Sequence, residues 1–164
     1  MKGFVFAGKK LRRGFTLIEM VVALSITTIV FGLGLVTYQN FSKKQTVEQA
    51  ALNLKADLHL TKDKALSGQK PTGWCFGPGE TLSGWRLDLT TSGYEILPVC
   101  SGGSSPNGVV IKTISFPTGV TSNATDQILF KVLSQGVNSG YTIVLSDVSG
   151  NSQTISINNS GLIN

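Results

Sequence analysis

KKLRRGFTLIEMVVALSITTIVFGLGLVTY, residues 9–38, is the stretch that decides the fold. Its last 24 residues, 15–38, are apolar almost throughout and carry a single charged side chain, Glu19. As a helix rising about 1.5 Å per residue, they would extend about 36 Å, enough to cross a hydrocarbon core of about 30 Å with some tilt. The sequence therefore predicts a membrane-spanning helix over residues 15–38.

Four basic residues directly before this stretch set its orientation. By the positive-inside rule they keep the preceding segment in the cytoplasm and place the C-terminal part outside. A secretory signal fits poorly, because its apolar region has only about 7 to 15 residues and a small-residue cleavage site, and no such site follows Tyr38. A plain signal anchor fits the length but not Glu19, because an ionisable group at that depth is costly and indicates a functional site.

The net charge of +5 is concentrated at the N-terminus. Residues 1–14 hold five of the fourteen basic side chains, and the rest of the chain balances nine basic against nine acidic residues. A broad phosphate-binding surface requires clustered Lys and Arg. After residue 70 the basic side chains are only Arg86, Lys112 and Lys131, which argues against DNA binding.

The basic residues, then Gly14, Phe15 and Glu19, resemble the leader of type IV prepilins and type II secretion pseudopilins. The resemblance implies that a prepilin peptidase removes leader residues 1–14 by cutting between Gly14 and Phe15, and that Phe15 is then N-methylated. It gives Glu19 a role in assembly, as partner of the new Phe15 ammonium group. That pair could form between neighbouring subunits or within one subunit, four residues apart, and both alternatives stay open.

The partners that the resemblance implies are the prepilin peptidase, other pilin or pseudopilin subunits, the inner-membrane assembly platform, and membrane lipid before assembly. The implied location is a single pass through the inner (cytoplasmic) membrane, with the C-terminal domain outside the cytoplasm, followed by a pilus or pseudopilus.

An amphipathic helix is predicted to continue through residues 39–68. It should end around Ser67–Gly68, because glycine is common just after a helix and Pro71 follows. Its apolar face recurs at the helical period, in Val47, Ala51, Leu54, Leu58 and Ala65. Off this face, Leu52, Leu60 and Leu66 would touch the domain or neighbouring subunits, and His59, the single histidine, is interpreted as a surface or interface residue.

Gly32 and Gly34 interrupt the apolar half of the predicted helix. Each lowers helix stability by about 1 kcal/mol relative to alanine. Two explanations stay open: close packing against other helices, where small residues are common, or a locally looser helix within the filament.

Residues 69–164 predict an extracytoplasmic, β-rich globular domain. Strict alternation in Arg86–Leu89 and Thr154–Ile157 is typical of half-buried antiparallel strands. Thr91–Gly93 and Asp147–Asn151 have the composition of hairpin turns, and for the second a plain turn is preferred to a calcium site. The predicted strands are Trp74–Phe76, Gly84–Thr90, Tyr94–Val99, Val109–Phe116, Ile128–Leu133, Tyr141–Ser146 and Thr154–Ile157.

Cys75 and Cys100 predict a disulfide, the default in an oxidising compartment, with two buried free thiols as the alternative. Two cysteines without a histidine cluster provide no four-ligand zinc site. We predict no metal site and no cofactor. Trp74 and Trp85 are interpreted as core anchors in preference to a sugar-binding or partner surface.

The later residues also resemble the GspH/FimT type of minor pseudopilin or pilin. The matching segments are Leu54–Leu66, Gly84–Asp88, Ile114–Gly119 and Ile155–Ile163. The expected fold is α+β, a long N-terminal helix packed on a C-terminal antiparallel β-sheet domain. The expected function is that of a structural subunit, and more specifically a minor one, of a type IV pilus or type II secretion pseudopilus.

Two other classes of function were compared with the structural subunit. A FimT-like pilin that binds DNA during uptake would need a basic surface, and the sequence lacks the basic residue that often follows the final glycine in that group. A membrane-anchored enzyme is disfavoured, because no nucleophile elbow, phosphate loop or metal-ligand spacing is present. The protein is therefore predicted not to be an enzyme.

Overall fold

The computed structural model describes residues 14–73, 75–102, 109–133 and 136–164, without the side chains of 33–37. One α-helix is followed by seven strands, which confirms the predicted α+β fold class. The elements are α1 (Leu17–Leu66), β1 (Thr81–Thr90), β2 (Gly93–Ser101), β3 (Lys112–Ser115), β4 (Val120–Ser122), β5 (Gln127–Lys131), β6 (Tyr141–Asp147) and β7 (Ser152–Ile157).

Contacts within the chain divide it into two units, Met1–Gln39 and Asn40–Asn164. In the first unit the structure describes residues 14–39, which include the first part of α1. The apolar side chains from Phe15 to Phe31 are exposed. No helix among the residues that the structure describes is long and apolar enough to cross a membrane. The second unit contains the rest of α1 and every strand.

The second half of α1 contributes one of its faces to the hydrophobic core of the second unit. Its predicted apolar face is buried, with Leu54, Leu58 and Ala65 fully enclosed. Leu52 and Leu60, which lie off this face, are exposed. The 3.6-residue period of the sequence thus located the buried face of this helix correctly.

The helix ends as the sequence predicts. Its last residue is Leu66, and Gly68 follows with a positive φ of 60°. The Gly68 N–H donates to the Ala65 carbonyl and the Gln69 N–H to the Lys64 carbonyl, both at 3.1 Å. These two bonds form the Schellman arrangement, which satisfies the last carbonyls and favours glycine at the left-handed position.

Seven strands form two antiparallel sheets. One has four strands in the order β3-β2-β1-β5, and the other has three in the order β4-β6-β7. Strand β1 alternates as predicted, with Leu87 and Leu89 buried and Arg86 and Asp88 half-buried. Side chains of both sheets and of α1 belong to one hydrophobic core.

Several details of the strand prediction are wrong, and the strand predicted from Val109 begins only at Lys112. No strand forms at Cys75–Phe76, because Cys75 has a φ of +58°, in the left-handed region that strands do not use; Trp74 lies outside the described residues. Strand β4, Val120–Ser122, was not predicted. Three residues are too few to show a period in the sequence, and β4 forms by pairing with β6.

Cys75 and Cys100 are joined by a disulfide. Their Cα atoms are 5.6 Å apart, within the range that disulfide geometry requires. The bond attaches the segment after α1 to strand β2, and Cys75 itself is fully buried. The alternative of two free thiols is therefore excluded.

Candidate functional site

The residues on both sides of the predicted cleavage site lie outside the helix. Gly14, Phe15 and Thr16 precede α1 and are exposed, and the Phe15 side chain is 76% exposed. A peptidase must bind its substrate in an open backbone conformation, and a bond inside α1 would first have to be unwound. The Gly14–Phe15 bond needs no such unwinding.

Thr16 caps the start of α1. Its Oγ1 accepts a hydrogen bond from the Glu19 N–H at 3.3 Å, and its carbonyl accepts one from the Met20 N–H at 3.2 Å. Threonine followed three residues later by glutamate has the spacing of a capping box. The cap fixes the helix start two residues beyond the predicted cut and places Glu19 in the first turn.

The polar side chains farther along the apolar stretch satisfy their own hydrogen bonds. The hydroxyls of Ser25, Thr27 and Thr28 donate to the backbone carbonyls of Val22, Ala23 and Leu24, at 2.8, 2.5 and 2.8 Å. Such internal bonds let hydroxyl side chains enter an environment without water.

Glu19 differs from these hydroxyls. Among the residues that the structure describes, none forms a hydrogen bond or an ion pair with its carboxylate, and the side chain is exposed. The free carboxylate in the first turn is therefore available to a cation outside the helix.

Gly32 is surrounded by open space in the single chain. A methyl group built on it would meet no atom within 4 Å. Close packing at Gly32 would therefore need a contact from another molecule, and both explanations of the glycine pair remain predictions. Gly34 lies among residues 33–37, whose side-chain surroundings are outside the described part of the chain.

A polar cluster that the sequence did not predict joins α1 to the four-stranded sheet. The buried Asp57 carboxylate accepts a 2.7 Å hydrogen bond from the Tyr94 hydroxyl and bonds of 2.7 and 2.8 Å from Lys112 Nζ. Burial, and secondly the hydrogen bond to Asp57 and its negative charge, raise the pKa of Tyr94 well above its ordinary value. The cluster stabilises the attachment of the helix to β2 and β3.

The raised pKa predicts a loss of stability in alkali. Unfolded Tyr94 loses its proton near pH 10 while the folded protein retains it, so stability should fall as the pH rises above about 10, by at most about 1.4 kcal/mol per pH unit. Urea unfolding of wild type and Tyr94→Phe at pH 9 and pH 11 measures this. The variant should lose less stability between the two pH values than the wild type. Equal losses would contradict the assignment to Tyr94.

The other side chains singled out in the sequence lie in the core, on the surface or in a turn. Trp85 is buried, its indole N–H donates to the Gln69 carbonyl at 2.9 Å, and Lys64 Nζ lies 4.6 Å from its ring centre, so the core interpretation is confirmed. His59 is exposed. The Asp147 carboxylate accepts hydrogen bonds from the Ser149 and Asn151 N–H groups, as a plain turn requires.

Two protein-family models match the chain. The prokaryotic N-terminal methylation motif matches residues 9–35, and the model of the type II transport protein GspH matches residues 50–161. No curated protein and no solved structure matches the chain.

Proposed function

The chain belongs to the type II transport protein GspH family and is a type II secretion pseudopilin or type IV pilin subunit; from this premise we propose that it is a minor subunit that assembles through its N-terminal helix after leader cleavage. The peptidase cuts the Gly14–Phe15 bond and methylates the new N-terminus. The subunit then joins its neighbours by helix packing and by the charge pair of Glu19. The proposal assigns no catalytic chemistry to the protein.

The processing segment, residues 14–19, carries this proposal. It combines an exposed peptide bond outside the helix, a threonine cap, and the Glu19 carboxylate in the first turn, which has no partner among the described residues. After cleavage, Phe15 would carry an ammonium group one residue before the cap, within reach of a carboxylate of its own or a neighbouring chain. Two such charges in an apolar filament core are tolerated only as a pair.

The methylation motif implies anchoring in the inner membrane before the subunit enters the filament. We propose that residues 15–38 span that membrane once. The sequence has the required length and a single charge, and its hydroxyl side chains are satisfied within the helix. In the filament the same exposed apolar side chains would pack against neighbouring subunits.

DNA binding is the less favoured alternative. Of the three basic residues beyond residue 70, Arg86 pairs with Asp88 through a 2.6 Å contact, and Lys112 pairs with Asp57. Within the described residues these pairs neutralise two of the three charges. A surface for phosphate needs several unpaired cations close together.

Processing is tested by the intact mass of the purified subunit. The mature chain should begin at Phe15, contain 150 of the 164 residues and carry one added methyl group. Gly14→Val should retain the leader, because the branched side chain stands at the cut, while folding should persist, because a Cβ on Gly14 meets no atom within 4 Å.

The matched control is Gly32→Ala, which also enters open space but lies away from the cut. It should be processed like the wild type. A wild-type subunit that keeps its leader, or begins at another residue, would contradict the proposal.

A further inference from the structure

The turn between β6 and β7 presents an apolar side chain to solvent. Val148 is 90% exposed, the highest value among the large apolar side chains that the structure describes as exposed. The conformation of the turn is stabilised by the Asp147 carboxylate, which accepts hydrogen bonds of 2.8 and 2.9 Å from the N–H groups of Ser149 and Asn151. Val148 is therefore exposed on an ordered turn, and within the part of the chain that the structure describes nothing buries it.

This turn lies beside the first residues of α1 in the second unit. Lys43 Nζ donates to Ser149 Oγ at 3.2 Å, and Lys44 lies near Asn151, on the C-terminal side of the same turn. Phe41, two residues before Lys43 and therefore on another face of the helix, is 56% exposed. Val148 and two ammonium groups thus lie together at the end of the unit where the chain arrives from the apolar stretch, and Phe41 lies close by along the chain.

We propose that Lys43, Lys44 and Val148, the turn surface, dock onto the anionic headgroup layer of the membrane that holds residues 15–38, and that Phe41 enters the same layer from another face of the helix. This inference rests on the anchoring proposed above. Apolar side chains enter the boundary of headgroups and acyl chains, and nearby lysines bind lipid phosphate. The turn surface would hold the domain against the membrane until the subunit is taken into a filament.

The distances along the chain fit this occupant. Residues 39–43 advance by about 7.5 Å as a helix, and a headgroup layer is about 5 to 7 Å thick on each side of the hydrocarbon core. Lys43, five residues after the proposed span, is therefore close enough along the chain for its long side chain to reach the outer edge of that layer. Asp147 is a nearby acid: its oxygens accept bonds from Asn151 and Ser149, and these bonds, helped by the charge of Lys43, lower the pKa of its carboxyl. With this carboxylate counted, the two lysines of the turn surface leave one net positive charge at the turn.

The charges of the turn surface favour an anionic layer. Lys43 and Lys44 are exposed, and each lysine close to such a surface is expected to strengthen docking about fivefold. A neighbouring protein subunit is the competing occupant, and the experiment separates the two.

The test uses the full-length subunit in lipid vesicles, with Val148→Cys labelled by an environment-sensitive fluorophore. Cys75 and Cys100 are disulfide-bonded and do not react. The matched control label is Leu133→Cys, because Leu133 is also an apolar residue beside a turn and 73% exposed. It follows Lys131, which lies near Lys62 and Leu66 at the other end of the helical segment in this unit.

In vesicles containing phosphatidylglycerol, the label at position 148 should shift to the blue and be quenched by a nitroxide on the lipid headgroup. The label at position 133 should do neither. Lys43→Gln with Lys44→Gln should reduce the docked fraction about fivefold per lysine, whereas Lys131→Gln should leave it unchanged.

Two results would overturn the inference. If the subunit stays in the vesicles after an alkaline wash but the two labels behave alike, the turn surface does not dock and the anchoring proposal stands. If position 148 is shielded in filaments but not in vesicles, a neighbouring subunit is the occupant. Loss of the subunit in the alkaline wash would instead refute the anchoring itself.

Discussion

Replacing Glu19 with valine is expected to remove the subunit from filaments while it remains in the membrane and is still processed. The change makes the apolar stretch more apolar, so insertion should be maintained or improved. Cleavage should continue, because Gly14 and Phe15 are unchanged. The Phe15 ammonium group would then have no partner in the filament core, and breaking such a buried pair costs about 3 to 5 kcal/mol, which corresponds to a loss of incorporation of about 100-fold or more.

The measurement compares wild-type and Glu19→Val subunits in membrane and sheared-filament fractions. Thr27→Val is the matched control, since it removes a polar group from the same helix. Within the residues that the structure describes, the Thr27 hydroxyl bonds to the Ala23 carbonyl of its own helix, so its loss should leave incorporation unchanged. Equal recovery of Glu19→Val and wild type in filaments would show that Glu19 is dispensable for docking. Residues 15–38 would then be explained as a simple signal anchor.

Breaking the disulfide should produce the largest change in the stability of the second unit. Cys75 and Cys100 are 25 residues apart, and closing a loop of this length stabilises the folded state by about 3.5 kcal/mol in the chain-entropy model. Cys75→Ala with Cys100→Ala should lower the free energy of unfolding by at least this amount, because Cys75 also fills a fully buried site. Urea unfolding followed by circular dichroism measures the change.

Reduced wild-type protein is the control for this pair. It keeps both sulfur atoms and loses only the cross-link, so it should fall between the oxidised wild type and the double variant. The difference between the reduced protein and the double variant gives the packing contribution of the two side chains. Equal unfolding midpoints for oxidised and reduced wild type would contradict a stabilising role for the bond.

Features encoded by neighbouring residues were predictable from the sequence. The buried face of α1 follows from the spacing of Val47, Leu54 and Leu58, and its end follows from Gly68. The N-terminal methylation motif could be recognised for the same reason, because its residues are contiguous within residues 9–35; the cleavage site and the role of Glu19 stay predictions.

Features that depend on distant residues were missed. Asp57 and Tyr94 are 37 positions apart, and Asp57 and Lys112 are 55 apart. On the helix Asp57 has the pattern of a solvent-exposed acid, and only the position of the sheet makes it buried. The surface around Val148 was missed likewise, because the turn and the helix were each predicted but their contact, at Lys43 and Ser149, was not.

The central position of Leu54 and Leu58 in the second unit has a mechanical consequence. Within the described residues, α1 is joined to the strands through packed side chains and the Asp57–Lys112 ion pair. The disulfide cross-links β2 to the segment after the helix. A force applied along the helix axis would therefore act parallel to the interface between the helix and the strands, and would load all the packed contacts of that interface at once. A subunit pulled by its helix would resist with the strength of its whole core, and not with that of a single linker.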